Sequence, residues 1–91
     1  MSLWTEVRGC SYLEKGHGIS YRYLIGILFQ EAEPIITQRE LTHDVVAIDF
    51  FFSFSEGGSE AVEAINEFLR IVKSNPKHRE TDLTTTIRFL T

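Results

Sequence analysis

The residue types able to do chemistry are few and scattered. Cys10 is the single cysteine, and Arg8 shares its side of an extended segment two residues earlier. A thiol becomes a nucleophile when a cation stabilises its thiolate and a base takes its proton. Arg8 meets the first condition, but no residue is identifiable as the base, so the expectation is an inert thiol. His17, His43 and His78 are dispersed, and no His or Cys pair has ligand spacing, so neither a metal nor a cofactor is expected. Two glycine-bearing stretches, Lys15-Gly16-His17-Gly18 and Gly57-Gly58-Ser59, each lead into a predicted helix. Helix N-termini approached by glycines offer free N–H groups to an anion, with Lys15 and His17 adding charge and a donor. Placed together at one end of a sheet, after parallel first and third strands, they would form an anion or small-ligand loop. Glu14, Glu56 and Glu60 crowd the same stretches, and tight turns alone account for the glycines. Asp49 is the least expected residue, a carboxylate within an apolar run, and Arg8 is its expected cross-strand partner.

The elements that would position these residues follow from the alternation of the chain. Its 91 residues allow one domain, residues 1–91, with one small core. Leu3 to Leu13 reads as a strand with Thr5, Val7, Gly9, Ser11 and Leu13 on one face, and Trp4, Glu6, Arg8, Cys10 and Tyr12 on the other. Ser20 caps a helix predicted to run to about Ala32, with Tyr21, Leu24, Ile25, Leu28 and Ala32 as its apolar stripe and Phe29 at the border. Pro34 stops it. Ile35 to Leu41 is a weaker, polar strand suited to a sheet edge. Val45 to Ser55 is the strongest strand, with Val46, Ile48, Phe50, Phe52 and Phe54 in period two. Ser59 caps a second helix striped by Ala61, Ile65, Phe68 and Val72. Leu83, Thr85, Ile87 and Phe89 alternate in a last strand.

The order β-α-β-β-α-β predicts a ferredoxin-like α+β fold, a four-stranded antiparallel sheet with both helices on one face. The first and third strands are then central. The helix-free face should carry Trp4, Arg8, Tyr12, Asp49, Phe51 and Leu90, more apolar and aromatic than a wetted face needs, which marks a protein interface. A smaller apolar pair, Tyr23 and Ile27, should face outward from the first helix.

Composition narrows the function classes. A net charge of −4 argues against a general electrostatic hold on nucleic acid or an anionic membrane. No apolar run approaches a membrane span, and Met1 to Cys10 lacks a signal-peptide core, so a cytoplasmic protein is expected. Two families with this element order fit poorly. Val7-Arg8-Gly9 and Ser20-Tyr21-Arg22 are loosely similar to the phosphate loop and arginine of the acylphosphatases. The second strand, however, offers Thr37 and Gln38 where that family has an asparagine. Asp49-Phe50-Phe51-Phe52-Ser53-Phe54 lacks the basic, glycine-containing signature of the RNA-recognition motif. The opening Trp4-Thr5-Glu6-Val7-Arg8-Gly9 resembles the start of small bacteriophage-type proteins of unknown function, which implies a mobile-element origin and a short accessory role. The leading expectation is a non-enzymatic interaction module, a homodimer or the captor of another protein. The alternative is an ACT-like regulatory module holding a small ligand near the glycine loops.

Overall fold

Phe50, Phe52 and Phe54 lie on one side of a single strand, so their rings can be buried only by elements packed on that side. That strand is β3 (Val45–Phe54), and the computed structural model, which describes residues 2–56 and 58–90, builds the protein around it. The remaining elements are β1 (Ser2–Glu14), α1 (Tyr21–Leu28), β2 (Ile35–Glu40), α2 (Gly58–Lys73) and β4 (His78–Leu90). The sheet order is β2-β3-β1-β4 and every neighbouring pair is antiparallel. β1 and β3 are therefore central and β2 and β4 form the edges, as the alternation predicts. The fold is α+β, a four-stranded antiparallel sheet with two helices.

Both helices cover the same face. Tyr21, Leu24 and Ile25 from α1 join Ala61, Phe68 and Val72 from α2 in one buried cluster with Val7, Leu13, Ile48, Phe50, Phe52 and Phe54. Phe29 joins the aromatic cluster, its ring centroid 4.6 Å from that of Phe52, 4.9 Å from Phe54 and 6.0 Å from Phe68. Here the structure corrects the expectation. Phe29 is fully buried, whereas Leu28 and Ile65 only pack against the margin. The cause is the early end of α1. Gln30 and Glu31 adopt left-handed φ values of 53° and 59°, and the Glu31 N–H donates to the Gly26 carbonyl at 2.8 Å. That six-to-one closure terminates the helix four residues before Ala32 and turns Phe29 down into the core.

Two polar residues on the covered face are satisfied locally. Thr5 Oγ1 donates to the Glu56 carbonyl at 2.6 Å, and Ser11 Oγ bonds Thr81 Oγ1 at 2.8 Å. Gly9 is needed there because the Phe50 ring crosses it. A Cβ at Gly9 would lie 2.5 Å from Phe50 Cζ and 2.7 Å from the Asp82 carbonyl oxygen.

Candidate functional site

Residues opposite each other in an antiparallel ladder share a face, so the register assembles the helix-free surface row by row. Trp4 lies opposite Arg88, and Glu6 lies between Ser53 and Thr86. Arg8 lies between Phe51 and Thr84, with Ile35 of β2 beyond Phe51. Cys10 lies between Asp49 and Asp82, with Thr37 outermost. Tyr12 lies between Ala47 and Glu80, with Arg39 outermost. Trp4, Arg8, Tyr12, Asp49 and Phe51 thus share one face. Leu90 pairs with Ser2 at the far end of β4, and its side chain lies outside the described part of the structure.

Charged side chains lie over the aromatic ones. The Arg8 guanidinium sits 5.0 Å from the centroid of the Phe51 ring. Arg88 Nε reaches Glu6 Oε1 at 3.1 Å, and a hollow of about 230 Å³ opens between this pair, Trp4 and Ser53. A broader depression of about 550 Å³ has Arg8, Ile35, Thr37, Asp49 and Phe51 among its lining residues. Trp4, Tyr12 and Phe51 are half-buried by these neighbours, whereas Ile35 is 68% exposed.

The partner of Asp49 is Arg39, not Arg8. Arg39 Nε donates to Asp49 Oδ2 at 2.8 Å, and the hydrogen bond holds the carboxyl below the usual aspartate range. Arg8 is drawn to the ring of Phe51, which lies directly opposite it, while Arg39 reaches Asp49 along the diagonal of the β2–β3 ladder. The alternation Ile35, Thr37, Arg39 places Arg39 on this face and was the signal available for it. Burial, reinforced by a hydrogen bond to Asp49 and its charge, pushes the Cys10 thiol up, away from a reactive thiolate.

The glycine loops do not meet. β1 and β3 are antiparallel rather than parallel, so the turns that follow them lie at opposite ends of the ladder. Glu14 faces Val45 at one end and Thr5 faces Phe54 at the other, nine residues or about 30 Å apart. Lys15, Gly16, His17 and Gly18 belong to the first end and Gly58 and Ser59 to the second; Gly57 lies outside the described residues. Each loop is also occupied with its own structure. Gly16 and Gly18 have φ of 81° and 75°, the Ile19 N–H donates to His17 Nδ1 at 2.9 Å, and Lys15 Nζ pairs with Glu40 Oε1 at 3.0 Å. Ser59 lies inside α2 rather than before it. At that end the Glu56 carboxylate pushes the Glu60 carboxyl up, a local field that repels an anion. A ligand loop shared by the two helix starts is therefore excluded by strand direction.

Tyr23 and Ile27 project from α1 as expected, 68% and 60% exposed. Among the described residues no helix is long and apolar enough to cross a membrane. Comparison of the chain with family models, curated proteins and solved structures finds no match.

Proposed function

We propose that this chain is a ferredoxin-like, non-enzymatic interaction module acting through the helix-free face of its sheet, where it associates with another protein chain, a second copy included. The alternation of two β-α-β crossovers and the central β1–β3 pair support the ferredoxin-like assignment. The observation that carries the function is the make-up of the open face. Trp4, Tyr12 and Phe51 are interleaved with Arg8, Arg39 and Arg88, and no lysine lies in any strand. Aromatics and arginine are the residues enriched in protein interfaces and at their energetic hot spots, and lysine is depleted there. Arg8 over Phe51 and Arg88 on Glu6 keep the aromatic surface wetted in the free chain, yet guanidinium groups stay available to a partner's carboxylates and carbonyls. The opening strand's resemblance to phage-type accessory proteins favours a host or cellular protein as that partner, beside a second copy of the chain.

Phe51→Glu tests the reading. The variant is expected to fold with a melting temperature close to wild type, and to purify from its producing cells free of the protein that accompanies wild type. An unfolded variant, or one that still purifies with that protein, would overturn it.

A further inference from the structure

The two edges of the sheet are built differently. β2 has six residues, follows Pro34 and ends in Gln38-Arg39-Glu40, the short charged pattern that blocks strand addition. β4 has thirteen residues without glycine, proline or lysine, and the β-branched run Thr84-Thr85-Thr86-Ile87 lies in its second half. Its pairing with β1 is regular from Glu80 to Leu90, the only irregularity lying at Tyr12/Leu13. Along its other side no strand of the described chain is hydrogen-bonded. β4 does carry Arg79, Glu80, Asp82 and Arg88, but Leu83 to Ile87 is an uncharged stretch of a long, regular edge, and its row of backbone donors and acceptors suits another strand whose charges match.

We propose that the occupant is a second copy of this chain, with β4 pairing antiparallel to β4 across a twofold axis at Thr85. In this register Thr84 faces Thr86 of the other copy, Leu83 faces Ile87 and Asp82 faces Arg88. Each of these three pairs is complementary and occurs twice, and Thr85 faces its own copy on the axis. Ile87 is 51% exposed in the single chain and gains an apolar neighbour in Leu83. Asp82 forms no ion pair among the described residues, and Arg88 holds Glu6 through Nε, leaving further guanidinium donors for Asp82 of the other copy. An axis at Thr84 instead places Ile87 against Thr81 and Leu83 against Thr85, which forfeits the apolar pair. The twofold axis runs through the sheet, so the dimer is one eight-stranded sheet with all four helices on one side. The two open faces then join into one surface. This assembly goes beyond the proposed recognition at the open face and does not rest on it.

The test uses the 91-residue chain with Cys10→Ser as background. Thr85→Cys sits on the axis, and oxidation is expected to convert it to a disulfide-linked dimer. Thr84→Cys, whose twofold mate lies beyond disulfide reach, is expected to stay unlinked. In light scattering, wild type and Phe51→Glu should both show twice the chain mass. Asp82→Arg should show the single-chain mass, and Asp82→Arg with Arg88→Glu should regain the dimer. Crosslinking at 84 rather than 85, or a wild type that remains a monomer, overturns the edge dimer. A dimer abolished by Phe51→Glu and not crosslinked at 85 also overturns it, while leaving the open face as the site of association.

Discussion

β3 presents two different surfaces from adjacent residues. Phe50, Phe52 and Phe54 face the helices and are almost fully buried, whereas Asp49 and Phe51 face away and are half-exposed. On the covered side rings meet rings, Phe52 lying against both Phe29 and Phe54. On the open side a ring meets a guanidinium and a carboxylate meets another. The same backbone therefore supports a stabilising face and a recognising face. A one-residue slip of register would exchange them.

The largest expected contrast lies between neighbours. Phe52→Ala empties space at the centre of the aromatic cluster and should cost about 3–5 kcal/mol in denaturant unfolding. Phe51→Ala removes only the ring under Arg8 and should cost well under half as much. Equal losses would break the distinction between the faces. Next comes Gly9→Ala, which forces a methyl into the Phe50 ring and the Asp82 carbonyl and should cost about 1–3 kcal/mol. Thermal unfolding measures it, and an unchanged midpoint would mean that the ring does not cross Gly9.

Smaller effects sharpen the comparison. Burial pushes the Tyr21 phenol up to about 12, and its hydroxyl lies beside Ser11 without a hydrogen bond of normal geometry, Ser11 Oγ being joined to Thr81. Tyr21→Phe removes an unsatisfied buried hydroxyl and should be neutral or stabilising by up to about 1 kcal/mol. A clear loss would reveal a bound water or a hidden partner. On the open face, the Asp49 carboxyl is held low by Arg39, so the ionised pair favours the folded state above the aspartate's unfolded value of about 4. That contribution fades as pH falls through the lower folded value. Wild type should hold its melting temperature further into acid than Arg39→Gln, by a small margin that added salt shrinks. Parallel acid profiles would remove the pair from the face.

Much of this division is legible in the residues themselves. Period-two alternation over Val46–Phe54 and Thr5–Leu13 assigns the faces of both central strands, because the pleat leaves no other choice. The 3.6-residue stripe through Ala61, Phe68 and Val72 likewise places α2. Three features escape local patterning. The end of α1 depends on Gln30 and Glu31 taking left-handed conformations that neither residue type advertises, stabilised by Gln30 Nε2 donating to Glu56 Oε1 at 2.9 Å, far along the chain. The partner of Asp49 depends on which long side chain reaches it diagonally, and that follows from register rather than from composition. The separation of the glycine loops follows from strand direction alone. All three are tertiary facts.

A photoreactive phenylalanine analogue introduced at position 51, compared with the same residue at position 62, asks most directly whether the open face recognises another protein. Val62 is 56% exposed on α2 and so reports accessibility without the open face's chemistry. Irradiated in the cells that produce the protein, position 51 should give one discrete crosslinked species that position 62 does not. Equal labelling at the two positions, or no product at position 51, would contradict a recognising face.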